Sequence, residues 1–282
     1  MKITQYRKAD GHLEAAVVEA EGLRPVHGRT VVELIRLAEA TGRSLAEEVE
    51  AYDKAPIVHA PPAIPVSPEE VWACGCTYAP SATFRDGELG TREGMYGYVH
   101  NPDHRPELFF KGTGRVCVGP GEAIGMRQDS KFTAPEPELG VVVNSEGAVQ
   151  GYLLANDVSA WDIERENALY LPQSKIYDGC CALGPYIVTP DEVDDPYDLM
   201  MSCTITRGDV TTFHGECSTD QLRRKIEDLV RYLMMSNAAP SSSVLLTGTG
   251  IIVTEKEALA PGDVVTIEIP GFGKLSNPAA IV

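Results

Sequence analysis

The sequence predicts a mostly β fold with helical excursions, led by a small α+β module over residues 1–60. Three observations predict it. From residue 70 onward, short apolar runs of strand length alternate with Gly and Pro breaks. Only one later segment, around 218–233, sustains helical spacing. The first sixty residues hold two helical signatures and run into a proline-dense stretch. With 282 residues and 43% apolar content, the chain can bury a sizeable core, in one large domain or in one large plus one small.

Residues 2–20 alternate loosely between polar and apolar, which predicts a strand or hairpin. Val31, Val32, Leu34, Ile35, Leu37 and Ala38 form one helical face, and Gly42 ends that helix. Ser44 and Glu47 form a capping box that opens a second helix. Pro56, Pro61, Pro62, Pro65 and Pro68 exclude helix interior, so the module boundary is placed there and a second domain spans 69–282. Strands are predicted at Trp72–Tyr78, ending in a loop, and at Leu108–Lys111. Leu139–Asn144 and Gly151–Asn156 read as a hairpin pair. Residues 187–188, 201–207, 244–247, 251–254 and 264–269 are further strand candidates. Ser218, Thr219 and Gln221 are expected to cap a helix whose buried face is Leu222, Ile226, Leu229, Val230 and Leu233. The polar insertion at residues 87–105 reads as a mobile loop, either an active-site lid or an ordinary surface loop.

The formal net charge of −17 argues against nucleic acid and anionic membranes, which need a basic face. A carboxylate substrate would need a local cation: a metal, Lys111, Lys175 or Arg85. No apolar run approaches the ~18 residues of a membrane span, and the first residues lack the apolar core of a signal peptide. A soluble cytoplasmic protein is expected. Seven cysteines, an odd count, are expected as reduced thiols. Cys74, Cys76, Cys180 and Cys181 lack zinc-finger spacing and read as small buried hydrophobes. No Ser-His-Asp or Cys-His arrangement is legible.

The chemistry concentrates in carboxylates. Glu136 and Glu138 stand two apart, so an extended strand puts both on one face with no basic neighbour in sequence. If the two predicted strands pair as a hairpin, Asp157 arrives at the same end. Three carboxylates from two strands would suit a hard divalent cation. A solvated acidic edge is the alternative.

Phe109-Phe110-Lys111, Pro135-Glu136-Pro137-Glu138-Leu139, Ala155-Asn156-Asp157-Val158-Ser159-Ala160-Trp161-Asp162, Lys175…Asp178-Gly179…Leu183-Gly184-Pro185 and Leu246-Thr247-Gly248-Thr249-Gly250 carry a family resemblance. Over roughly residues 70–282 the chain resembles the fumarylacetoacetate hydrolase family. The resemblance implies a β-roll catalytic domain, Mg²⁺ (or Mn²⁺ or Ca²⁺), a homodimer or higher homo-oligomer, and a small-molecule 2-oxo acid substrate. It puts Glu136, Glu138 and Asp157 on the metal ligands and Lys175 on a substrate-facing lysine. Hydrolase members use a His and Glu near the first strand to activate water; the His position here is Ser81. That departure, with Thr77-Tyr78-x-x-Ser81, Arg105-Pro106-Glu107-Leu108-Phe109-Phe110-Lys111, Glu166–Gln173 and the Thr-Gly-Thr-Gly run, resembles the sugar-acid dehydratase branch. That branch converts 2-keto-3-deoxy-pentonates to 2,5-dioxopentanoate.

A dehydratase needs an electron sink and a base for the C3 proton. Lys175 is the first choice for the base, with a fixed cation or a Schiff-base lysine as alternatives. Ser81 and Arg85 are candidates for the catalytic shell. Glu107 is either a partner in the site or a surface residue. Lys111, Gln173, Asp178, Thr247 and Thr249 are candidates for substrate binding or for orienting Lys175. Asp162 and Glu164 read as helix caps. An acylpyruvate or diketo-acid hydrolase, an oxaloacetate decarboxylase and a non-catalytic 2-oxo-acid binder are the competing functions.

Overall fold

The computed structural model describes residues 1–53, 55–89 and 94–282, with residues 86, 88 and 89 described by backbone alone. The leading segment forms strands β1 (Lys2–Arg7), β2 (Leu13–Glu19) and β3 (Gly22–Pro25), then helices α1 (Val31–Thr41) and α2 (Leu45–Glu50). Strand β4 (Val71–Gly75), helices α3 (Ala79–Leu89) and α4 (Met95–His100), and strand β5 (Glu107–Gly112) follow. Short strands β6 (Cys117–Val118), β7 (Ile124–Met126) and β8 (Thr133–Ala134) lead to the long pair β9 (Pro137–Val143) and β10 (Val149–Asp157). Next come β11 (Ser159–Ala160), α5 (Trp161–Glu166), α6 (Leu171–Lys175) and β12 (Cys181–Val188). The chain closes with β13 (Met200–Arg207), β14 (Val210–Ser218), α7 (Ile226–Met234), β15 (Ser243–Leu246), β16 (Val264–Ile269) and β17 (Gly273–Ile281).

The large sheet runs β3-β2-β1-β12-β10-β9-β15-β4-β5, with β6 alongside β12; a smaller sheet runs β14-β13-β16-β17-β7. Both faces of β9 and β10 are buried. Leu139, Val141, Tyr152 and Leu154 pack with Cys203, Ile205, Val265 and Ile267 of the smaller sheet. Val142, Leu153 and Ala155 pack on the opposite side with Leu34, Ile35 and Leu45 of the helices. That explains why these strands read as continuous apolar runs rather than alternating ones.

The capping boxes at Thr30/Glu33 and Ser44/Glu47 are both formed, and Gly42 ends α1 in the left-handed conformation. The leading segment does not stand apart. Lys2 and Ile3 pair with Val188 and Ile187, and Thr4 Oγ1 donates to the Pro185 carbonyl at 2.8 Å. The late helix starts later than expected. Ser218 caps a single 3₁₀ turn, and α7 begins at Ile226 after Lys225 without a side-chain cap. Two loop expectations are also corrected. Residues 79–89 are helical, because Pro80 sits in the first turn, where no amide is needed. Within the expected 87–105 loop, α4 is helical and its end is tied down; residues 90–93 lie outside the described residues. Arg224, buried, donates through Nη2 to the carbonyls of Val99 and Asn101, the latter at 2.6 Å, and the His100 ring lies 2.8 Å from the Cys76 carbonyl.

Candidate active site

The β9–β10 register assembles the carboxylates. Ala155 pairs with Glu138 and Asn156 with Pro137. The Asp157 amide then donates to the Glu136 carbonyl at 2.9 Å. All three acidic side chains are buried, and one oxygen from each lies within 4.8 Å of the others. Neighbours fix them individually. Asn156 Oδ1 accepts the Glu136 amide at 3.0 Å, and Trp161 Nε1 donates to Glu136 Oε1 at 2.7 Å. The Gly248 amide donates to Glu138 Oε2.

Three buried cations surround the cluster. Lys175, at the end of α6, donates to Glu136 Oε2 (2.7 Å), Asp157 Oδ2 (3.0 Å) and Ser159 Oγ (2.6 Å). Lys111 Nζ stands 2.6 Å from Asp157 Oδ1 and also donates to the Val158 and Lys175 carbonyls. Arg85 Nη1 lies 2.9 Å from Glu164 Oε1 and Nη2 3.5 Å from Glu136 Oε1. Its guanidinium is flanked by the rings of Trp161 and Tyr96. Burial works against charge on Lys175, but Asp157, Glu136 and Glu164 outweigh it and raise its pKa. Burial likewise opposes charge on Lys111, and Asp157 reverses the balance.

The carboxyls are not equivalent. Burial pushes Asp157 up, but Lys111 and Lys175 together bring it below its usual range. Among the described residues, Glu138 has no ion pair with a lysine or arginine. Burial, then the neighbouring Asp157 and Glu136, drive its pKa well above the carboxylate range. Glu107 is raised too, chiefly by burial and secondarily by Glu164, against the pull of Arg85. Its Oε2 is sealed from solvent without a hydrogen-bond partner. Four buried carboxyls (Glu136, Glu138, Asp157, Glu164) and the half-buried Glu107 thus face three buried cations. Full ionisation would leave two negative charges uncompensated, which is the charge a divalent cation brings, and the raised pKa of Glu138 reflects that excess. The donors are all oxygen, as Mg²⁺, Mn²⁺ and Ca²⁺ prefer, so these residues fit such an ion.

A pocket of about 280 Å³ opens beside the cluster. Glu107 and Glu164 line it, with Met95, Tyr96, Val99, Ala168 and Leu171. Glu107, Phe109 and Lys111 alternate along β5 and so share a face, and the Phe109 ring lies 5.4 Å from Lys175 Nζ. Ser81 and Arg85 are four residues apart on α3, on one helical face, and both are buried.

Other predicted positions fall elsewhere. Gln173 is exposed, and Asp178 is exposed and paired with Arg115 at 2.8 Å, so neither orients Lys175. Thr247 Oγ1 donates to the Leu139 carbonyl at 2.8 Å, and Thr249 Oγ1 accepts the Ile251 amide at 3.1 Å. Their hydroxyls close the turn, and the turn's Gly248 amide serves Glu138 rather than a substrate carboxylate. Glu164 is no helix cap: it pairs with Arg85 and accepts from Ser174 Oγ at 3.2 Å. Asp162 instead accepts from Ser130 Oγ and the Lys131 amide, both at 2.7 Å. Ser159 and Trp161 also belong to the site and were not anticipated. Their sequence signal is membership of the motif that runs on from Asp157 to Asp162.

The family model for the C-terminal region of fumarylacetoacetate (FAA) hydrolase matches residues 91–280. The chain belongs to the fumarylacetoacetate hydrolase family. Within it, 261 residues are 42% identical to a protein of Haloferax volcanii named "Probable 2-keto-3-deoxyxylonate dehydratase", covering 90% of this chain and 89% of the relative. A "2-dehydro-3-deoxy-D-arabinonate dehydratase" of Saccharolobus solfataricus is 45% identical over 217 residues, 76% of this chain and 72% of the relative. A solved structure of 2-keto-3-deoxy-D-arabinonate dehydratase, complexed with magnesium and 2,5-dioxopentanoate, superposes with a TM-score of 0.86 at 34% identity. The match covers 100% of this chain and 99% of that one. The sheet-rich fold expected of the family is therefore borne out.

Proposed function

We propose that this chain is a lyase that dehydrates a 2-keto-3-deoxy sugar acid, such as a 2-keto-3-deoxy-pentonate, to 2,5-dioxopentanoate and water. One observation carries the proposal: an all-oxygen cluster of three buried carboxyls in a frame that matches the magnesium-bound dehydratase along its whole length. Glu136, Glu138 and Asp157 would hold the ion. Bound there, Mg²⁺ supplies Lewis-acid stabilisation of negative charge on the substrate's C2 oxygen.

The chain's own residues do the rest. Lys175 and Arg85 are held charged and offer fixed positive potential to the substrate carboxylate. As an ammonium with three acceptors, Lys175 has no lone pair for proton abstraction, so the base moves to Glu107. Its carboxyl lines the pocket, and its raised pKa suits a group that alternately accepts and releases a proton. Glu107 takes a proton from C3, and the C4 hydroxyl leaves with a proton as water. A proton then shifts from C5 to C3, leaving a C4–C5 enol, and its hydroxyl proton passes to C4 as the C5 aldehyde forms. Ser81, beside Arg85 on α3, is assigned to binding a substrate hydroxyl.

The hydrolase alternative needs a water-activating histidine where this chain has Ser81. A homodimer or larger homo-oligomer in the cytoplasm belongs to the same proposal, and light scattering tests the assembly. The deciding experiment incubates the chain with 2-keto-3-deoxy-arabinonate and 2-keto-3-deoxy-xylonate. Formation of 2,5-dioxopentanoate should stop with EDTA, return with Mg²⁺ and be lost in Glu138→Gln. Undiminished turnover by a metal-stripped Glu138→Gln chain, or pyruvate release from acylpyruvates without dehydration, would sink it.

A further inference from the structure

The row of residues that carries the carboxylates continues into a pair of thiols the reaction does not use. Asp157 on β10 is the register partner of Cys181 on β12. Cys181 is in turn the parallel register partner of Cys117 on β6. Register partners project from the same face of a sheet, so Asp157, Cys181 and Cys117 lie side by side across three strands. Both cysteines are free; Cys181 is fully buried and Cys117 only partly covered. Cys117 Sγ donates to the Thr113 carbonyl at 3.5 Å, and the Lys111 ammonium that holds Asp157 also acts electrostatically on the Cys181 sulfur. Neighbouring strands lie about 4.8 Å apart, within the Cα separations of roughly 4.4–6.8 Å that a disulfide bridges.

We propose that Cys117 and Cys181 form a modification site, which hydrogen peroxide or a low-molecular-weight disulfide converts to a disulfide that weakens metal binding at Asp157. With peroxide, the Cys117 thiolate attacks one oxygen, the O–O bond breaks, and water and a sulfenic acid form. The Cys181 sulfur then displaces the sulfenic oxygen as a second water. The two thiols give up two electrons and two protons, and peroxide is reduced to two waters. With oxidised glutathione the same electrons release two glutathione thiols. The new bond draws the strand neighbour of Asp157 toward β6 and alters the packing beneath Lys111. This coupling rests on the proposed metal centre; the disulfide itself does not.

The test treats the full chain with hydrogen peroxide or oxidised glutathione, maps peptides without reduction, and measures Mg²⁺ binding by calorimetry. A Cys117–Cys181 linked peptide is expected, with Mg²⁺ affinity lowered about tenfold, the lower end of outer-shell effects on metal sites, and restored by dithiothreitol. Cys117→Ser should keep its Mg²⁺ affinity under both oxidants. Should that variant fail to fold, joint loss of alkylation at both cysteines of the unaltered chain reports the pair instead. Glutathione on Cys117 alone, or no linked peptide, overturns the pair. A linked peptide with unchanged affinity overturns the coupling. Reduced chain that binds no Mg²⁺ overturns the metal centre, and with it the coupling, while the peptide map still decides the pair.

Discussion

Glu138 and Glu107 are the two site carboxyls whose ionisation the fold opposes, and they are opposed for different ends. Glu138 lacks a cationic partner, so without metal the folded chain binds a proton there more tightly than the unfolded chain does. Between its unfolded pKa of about 4.5 and its raised folded value, the folded state therefore holds more protons. Metal-free stability falls as pH rises through that window, and a bound cation offsets the loss. The rise in melting temperature on adding Mg²⁺ should grow from pH 5 to pH 8, and a pH-independent rise in calorimetry would contradict this. If Glu107 is the base proposed above, it works only when deprotonated, so the activity limb should climb with pH at a midpoint above the ordinary carboxyl range. Glu107→Gln should lose that limb and about 10²–10⁴-fold in kcat, with KM nearly unchanged. Gly75 makes Glu107's place possible: a Cβ there would come within 2.1 Å of Glu107 Oε2. Gly75→Ala should displace the carboxyl and lower kcat while leaving Mg²⁺ affinity intact. The carboxylate triad was legible because strand periodicity alone puts Glu136 and Glu138 on one face. The identity of the base was not. In the proposed reading the role passes from Lys175 because three acceptors hold its ammonium, two of them carboxylates proposed to hold the metal, and their approach depends on how α6 docks.

Elements that carry the site differ in how much of them local sequence specifies. The β9–β10 hairpin was readable end to end, since two apolar runs separated by a polar connection leave one register that buries both faces. Helices α3 and α4 were not, because their stretch is polar and broken by Pro and Gly. Their order comes from contacts distant in sequence, chiefly the Arg224 guanidinium on the Val99 and Asn101 carbonyls. That anchor holds the helix bearing Tyr96, which lies beside Arg85 and lines the pocket with Glu107. Replacing it with a chain of similar size but no donors, Arg224→Met, leaves the carbonyls unpaired and frees α4. Faster proteolytic cleavage between residues 94 and 105 is expected, with a higher KM and unaltered Mg²⁺ affinity by calorimetry. Cleavage and KM equal to those of the parent chain would show that α4 holds its place without the anchor.

At the scale of the whole molecule, the strongly negative chain gathers a cluster of carboxyls in one buried centre, and the sheet around that centre holds them together. That makes the leading segment a structural question. The proline-dense stretch suggested a module boundary near residue 60, which is what composition alone can offer. Composition does not reveal that β1 forms the next rung beyond β12, itself the strand beside Asp157. Nor does it reveal that Leu34, Ile35, Leu45 and Val49 cover the same sheet face as Val142, Leu153 and Ala155. Leu153 and Ala155 alternate along β10 with the strand positions just before Asp157, so this cover adjoins the carboxylates. Removing residues 1–60 would open the β12 edge and uncover those apolar side chains, at roughly 1.5–3 kcal/mol for each large one exposed. Several such residues exceed the roughly 5–15 kcal/mol that holds a domain together. A chain of residues 61–282 is therefore expected to be insoluble, or to melt without a cooperative transition by calorimetry, whether or not Mg²⁺ is present. Soluble 61–282 with a sharp, Mg²⁺-responsive melt would instead establish the leading segment as an independent module.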